Sequence, residues 1–209
     1  MSAAKKRAPR ERAYHVGDLP ALLLQAGENV LRRDGIANLG LRSVTREAGV
    51  SHTAAKPHFG DFDGFRAELA SVGFQRLAFA LEATASIEVP RARRVALAKA
   101  YVHFAHTNVE LFTLMFRHEM VDMKHPSLVS ATGRAMRALA GPLGGDASAS
   151  TLSPEGALRI SAGWALVHGL AVLLIEKRLK GVLKRTPSFS NLLQLTEAVL
   201  DATVLVIER

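Results

Sequence analysis

An all-α fold follows from three features of the chain. Apolar residues recur every three or four positions, Pro and Gly break these stretches at helix-length intervals, and no segment alternates apolar and polar residues as a half-buried strand would. The expected order is three short N-terminal helices followed by a larger helical body.

In the first helix Leu19, Leu22, Leu23, Ala26 and Val30 form one apolar stripe, which stops near Asp34-Gly35. Residues 41 to 59, LRSVTREAGVSHTAAKPHF, predict two short helices folded across the turn Gly49-Val50-Ser51. Leu41, Val44 and Ala48 share a face that can enter a core, while Arg42, Thr45 and Arg46 fall on the other side. Gly49 suits the left-handed residue that ends a helix. Ser51 is placed to cap the next helix by accepting a backbone N–H two or three residues on, so that helix opens at His52.

A long helix is expected from Phe62 to about Ala85, with Phe65, Leu69, Val72, Leu77 and Leu81 available for burial. Pro90 separates it from a helix at 91 to 107, followed by the apolar block LFTLMF at 111 to 116. Pro126 opens a helix to about Leu143, and GGDASAST at 144 to 151 is a loop by composition. Ser153-Pro154-Glu155 combines a capping hydroxyl, a proline in the first turn and an acid at the positive helix end. That helix is expected to reach about Lys180 with Lys and Arg in its last turn, and a final helix at about 191 to 207 carries Leu192, Leu195, Val199, Thr203 and Val206 on one side. The chain therefore divides into a basic arm at 1–14, a helix-turn-helix unit at 15–61 and a helical body at 62–209.

A helix-turn-helix presents the start of its second helix to base edges in the major groove and lays its first helix across the phosphates. His52, Thr53 and Ala54 are the candidates for base edges, where two offer hydrogen bonds and Ala54 suits a thymine methyl. Arg42, Ser43, Arg46 and Lys56 are the candidates for phosphates, with Ser51 and His58 completing the set. A tight helical hairpin with a Gly turn and no DNA function has the same spacing.

The net charge is +8, and up to residue 60 there are ten Lys or Arg against five acids, a difference of +5. A basic N-terminal unit suits a polyanion, an acidic membrane surface or simple solubility. The absence of cysteine excludes disulfides and thiolate metal sites and fits a cytoplasmic setting. The first residues lack the apolar stretch of a secretory signal, and the apolar run from Ile160 to Ile175 is short for a membrane span, so no membrane partner is expected.

From Leu19 to Leu69 the Gly35 turn, the Ala48-Gly49-Val50-Ser51 turn, the His58-Phe59 pair and the start of the long helix fall at the intervals of the DNA-binding domain of the TetR family, which the chain resembles. Trp164 to Gly169, Trp-Ala-Leu-Val-His-Gly, is similar to a signature of one group of TetR C-terminal domains. The resemblance implies a transcriptional repressor that binds a near-palindromic double-stranded DNA operator as a homodimer. It further implies a small, apolar effector and a pairing of the last two long helices into a four-helix interface. Ala165 and Gly169 leave one helix face without bulk, for a partner helix or for packing within the monomer.

Two departures from the family stand in the reading head. Lys56 occupies the place of its usual aromatic residue, and Phe62 that of a Lys which usually touches phosphate. Pro57 lacks an N–H, crowds the Thr53 carbonyl and biases Lys56 away from helical angles, so the second helix is expected to end early or bend.

Phe104, Leu111, Met115, Phe116, Met120, Trp164 and His168 are the candidate cavity lining, in which a His or Trp N–H would be a polar anchor. Ordinary core packing explains the same spacing. His103 with His106, and His118 with Asp122 and His125, could share helix faces as metal ligands, but partly exposed histidines explain them more simply, and no metal or other cofactor is expected. No phosphate loop, nucleophile elbow or acid-base pair marks an enzyme, and no catalytic residue is assigned. The remaining alternative is a helical interaction or ligand-binding protein whose helix-turn-helix no longer binds DNA.

Overall fold

Leu23, Ala26, Val30 and Leu31 turn one side of α1 (Leu19–Asp34) into the core of the N-terminal unit. The computed structural model describes residues 19–143 and 151–203. The expected arm at 1–14, the loop at 144–150 and the end of the last helix from 204 onward lie outside the described residues. All regular structure among the described residues is helical.

Val44 and Ala48 of α2 (Leu41–Ala48) pack onto α1 as expected, and Thr45 joins them with only 3 % of its surface exposed. This corrects the placement of Thr45 on the outer face. Its methyl enters the core and its hydroxyl is satisfied by donating to the Leu41 carbonyl at 2.9 Å, so burial leaves no polar group unpaired. Gly49 takes φ 71° and ψ 28°, the left-handed conformation that a residue without Cβ adopts most cheaply.

Residues His52–Ala55 form a 3-10 turn that leads into the single α-turn of α3 (Lys56–Phe59). Ser51 does not cap this segment with its side chain. Its Oγ lies 3.3 Å from Thr53 Oγ1, and its backbone carbonyl accepts from Ala54 N–H at 3.0 Å. Lys56 adopts helical angles, φ −58° and ψ −44°, despite the proline that follows. The tighter turn explains this: Lys56 N–H donates to Thr53 three residues back, and Pro57 enters the first turn of α3, where an N–H is dispensable.

Gly60 ends α3 at φ 72°, and Asp61 caps α4 (Phe62–Glu82) by accepting from Gly64 N–H at 2.8 Å. The joint is held by rings, with Phe59 edge-on to Phe65 at 5.1 Å and Phe62 stacked on Phe65 at 6.1 Å. Phe62 thus serves packing, with the Arg66 guanidinium 4.8 Å above its ring. One ion pair ties the N-terminal unit to the body: Arg76 of α4 donates two bonds, 2.6 and 2.7 Å long, to the buried Glu28 carboxylate of α1.

The body is built around α4. α7 (Pro126–Ala140) lies beside it in the same direction, with the Ser71 hydroxyl donating to the Ser127 carbonyl near one end and Arg134 paired with Glu82 near the other. α5 (Pro90–Thr107) returns toward the N-terminal unit, where Thr107 and Asn108 face Glu28, Leu31 and Arg32 across a shallow cleft. α6 (Val109–Met115) follows directly, and Met115 fills the space left by Gly73 on α4.

α8 (Pro154–Ile175) is capped by Ser153 Oγ, which accepts from Gly156 N–H at 3.0 Å. It descends alongside α5 and ends five residues before Lys180, which corrects the expected extent. Lys177 turns to φ 58°, and the N–H groups of Lys177 and Arg178 close back on the Leu174 and Leu173 carbonyls. Lys177, Arg178 and Lys180 therefore follow the helix and do not sit in its last turn. A short α9 (Lys180–Leu183) leads to α10 (Leu192–Thr203), which runs antiparallel to α5 through Lys99–Asp201 and His103–Glu197, both 2.9 Å.

α8 spans 22 residues and is long and apolar enough to cross a membrane, because the helix starts well before the apolar run at Ile160. Gly156, Ile160, Gly163, Val167, Leu170, Ala171 and Leu174 bury one face in the body. The opposite face, with Leu158, Ser161, Ala162, Ala165, Gly169 and Leu173, is exposed.

Candidate nucleic-acid interface and ligand pocket

Burial of Ala55 fixes the orientation of the 3-10 turn and α3, because a four-residue turn with one side anchored must show its other sides to solvent. Ser51, His52, Thr53, Lys56 and His58 are exposed and Ala54 is half-buried. Arg42 and Arg46 are exposed on the outer side of α2. Ser43 is occupied otherwise: its Oγ accepts from Gly40 N–H at 3.0 Å and donates to the Gly40 carbonyl at 2.7 Å, so it anchors the start of α2. Arg33 bonds Asp34 and Glu47 at 2.9 Å, which pushes its guanidinium further above its ordinary range and uses its charge to tie α1 to α2.

The body contains an apolar cavity of about 170 Å³. α4 contributes Phe74, Leu77 and Leu81, and α7 contributes Thr132, Ala135, Met136 and Leu139. Tyr101, Phe116, His118, Met123 and Trp164 complete the lining. Of the seven residues expected there, Phe116 and Trp164 line this space. His168 stands behind them, with its ring 4.5 Å from Phe116 and 6.3 Å from Trp164. Phe104, Leu111 and Met115 are buried in the core, and Met120 is half-buried against it. The α7 residues are not among those expected, although their spacing of three, one and three marks one helix face.

Tyr101 is the polar centre of the cavity wall. Its Oη lies 3.0 Å from His168 Nδ1, and burial pushes its phenol well above the usual tyrosine range, with the Trp164 indole as a smaller opposing influence. Burial also lowers the His168 value from 6.5, so the imidazole is neutral near pH 7 and shares a hydrogen bond with the Tyr101 hydroxyl at Nδ1. The unfolded chain takes up a proton on His168 first as pH falls. The stability contribution of this group is therefore present above about pH 6.5 and is lost as pH falls from there through the lower folded value. Thermal unfolding of the native chain and His168→Gln at pH 7.5 and 5.5 should show a difference in midpoint that changes between the two pH values; a constant difference would exclude the effect.

The candidate metal ligands are dispersed. His103 pairs with Glu197, and His125 bonds Ser127 at 2.9 Å and faces Glu68 at 3.8 Å. Among the described residues no group of three His, Asp or Glu could hold an ion.

Residues 95–196 match the family described as tetracyclin repressor-like, C-terminal domain. A protein of unknown function from Rhodococcus sp. RHA1 has 32 % sequence identity and a TM-score of 0.72, with 94 % of this chain and 97 % of that chain covered. A transcriptional regulator from the same organism has 22 % identity and a TM-score of 0.64, with 90 % and 95 % covered. The TetR family transcriptional regulator PfmR from Thermus thermophilus has 15 % identity and a TM-score of 0.56, with 88 % and 96 % covered. No curated protein matches the chain.

Proposed function

Because the chain belongs to the TetR family of transcriptional regulators, we propose that it is a ligand-responsive repressor that binds a near-palindromic duplex as a homodimer in the cytoplasm. Residues 15–61 form the reading head, and residues 62–209 hold the effector and pair the subunits. The observation that carries this reading is the edge at His52 and Thr53, exposed beside the half-buried Ala54 and held outward by the burial of Ala55, together with the exposed cations Arg42, Arg46 and Lys56. An edge turned inward would have no access to a groove.

The exposed face of α8 is the subunit seam. Small residues at Ser161, Ala162, Ala165 and Gly169 leave room for a partner helix, and Leu158 and Leu173 add apolar area at its two ends. The effector is small. A cavity of about 170 Å³ compares with the roughly 150 Å³ that accommodates one benzene ring, so it holds one ring or a short chain unless the helices part. Its walls are apolar and its accessible polar groups are few, which favours a neutral molecule. Effector binding weakens operator affinity by as much as it prefers the form with the heads spread, about 5- to 150-fold for a coupling of roughly 1 to 3 kcal/mol.

Gel shift with duplexes selected from a random pool tests the reading. Arg46→Ala removes one cation per subunit, so operator affinity should fall about tenfold and the slope of log affinity against log salt should become shallower by about 2 for the dimer. A purified protein that retains no duplex at low salt would favour the second reading, a helical ligand-binding protein without DNA. The observation behind that reading is Phe62, which is packed into the joint and supplies no cation to a phosphate.

A further inference from the structure

We propose that the corner between α8 and α10 is a second DNA-facing surface, a basic platform at the dimer axis that takes the phosphates lying between the two half-sites. This inference rests on the repressor reading. Residues 61–209 carry 17 Lys or Arg against 14 acids, a difference of +3. Lys177, Arg178, Lys180, Lys184 and Arg185 stand within one short stretch against Glu176 alone, a difference of +4. The rest of the body is therefore slightly acidic, and its entire positive excess is gathered at this corner.

All five cations are exposed. Arg178 meets Glu176 at 3.2 Å, and no described carboxylate pairs with Lys177, Lys180, Lys184 or Arg185. Lys177 has φ 58°, a conformation that favours glycine, so the helix end carries a cation at a position where the backbone alone would select a residue without a side chain.

Topology places the corner at the right end of the molecule. The pairs Lys99–Asp201 and His103–Glu197 set α10 antiparallel to α5, so the start of α10 is level with the end of α5. That end, Thr107 and Asn108, abuts Glu28 and Arg32 of the reading head. α8 descends beside α5 to the same level, with Tyr101 opposite His168 and the helix closing at Ile175. The corner therefore lies at the head end of the body, and it joins the two helices proposed to form the subunit interface. Pairing through α8 and α10 brings two copies of the corner together at the two-fold axis, over the middle of a duplex whose half-sites engage the two heads. Two clusters of +4 repel each other at an axis, and a phosphate backbone passing beneath them removes that repulsion.

The test compares the full-length protein with the triple variant Lys180→Gln, Lys184→Gln, Arg185→Gln on one 40-base-pair duplex selected from a random pool by the native chain. The expected result is a loss of affinity of about tenfold or more at 50 mM salt, convergence of the two proteins at high salt and a salt slope shallower by about 2 or more. Lys177→Gly serves as the second variant. It relieves the left-handed residue, so its thermal midpoint stays equal or rises while its salt slope becomes shallower by about 2 for the dimer. If both variants bind with the native slope while Arg46→Ala does not, the platform is overturned and the repressor reading stands. Retention of the native chain, but not the triple variant, on vesicles of anionic phospholipid, with the DNA slope unchanged, would assign the corner to a membrane surface and also overturn it. If the native chain selects no duplex, both readings fall.

Discussion

Arg76→Ala is expected to lower the free energy of unfolding by about 2 to 3 kcal/mol. Glu28 retains 6 % of its surface and accepts two charge-assisted bonds from Arg76, 2.6 and 2.7 Å long. Truncating the arginine leaves a carboxylate at the junction of α1 and α4 with no cation and little access to water. The Arg76 side chain is itself 46 % exposed, so its removal admits some solvent and places the cost toward the lower end for a broken buried pair. Urea denaturation measures the loss. The double variant Glu28→Gln, Arg76→Ala removes the charge that makes the single change expensive and should recover part of the stability. A single-variant loss below about 0.5 kcal/mol would show that the pair contributes no more than an exposed one. Because the pair ties α1 to α4, the same variant should speed hydrogen exchange in α1.

The second large effect is one of sign. Alanine in place of a helical glycine ordinarily stabilises by about 0.5 to 1 kcal/mol. Gly64→Ala is expected to destabilise by about 2 kcal/mol, because a Cβ at this position would overlap the carbonyl oxygen of Phe59. The obstacle is backbone, so no rotamer change relieves it. The proposed recognition segment ends at Phe59, and α4 starts at Phe62 with Asp61 accepting from Gly64 N–H. Displacing Phe59 therefore loosens the reading edge together with the joint, and DNA affinity should fall with stability. A higher thermal midpoint for the variant would show that the joint has slack enough to absorb a methyl group.

Local backbone chemistry is readable where one residue carries the instruction. Gly49 announces its left-handed turn, Ser153-Pro154 the start of α8, and Pro126 the start of α7. The end of α8 is not readable, because a lysine adopts the conformation for which glycine is the usual signal. Pro57 misleads for a related reason. Its cost applies to an α-helix, whereas the preceding turn is 3-10 and places Lys56 in helical angles. Polarity alone sends Thr45 outward, yet a hydroxyl that reaches the carbonyl four residues back can be buried.

The helix-turn-helix spacing predicts the outward placement of His52 and Thr53, but the buried Ala55 that holds them there has no sequence signal of its own. The cavity follows only in outline. Phe116 and Trp164 are visible as large residues, but Thr132, Ala135, Met136 and Leu139 line it because α7 lies against α4, and that pairing has no local signature.

In the proposed repressor, the mixed helix at the tip also limits how much sequence each head can read. Four residues rising about 2.0 Å each and four rising about 1.5 Å give a probe about 14 Å long. At about 3.4 Å per base pair, that is roughly four positions per half-site and eight per palindrome. Eight fixed positions recur by chance about once in 65,000 base pairs, some fifteen times among a million competing sites. Choosing one address among those decoys then falls to DNA the probe never touches: the spacing between half-sites and the ease with which the intervening duplex bends.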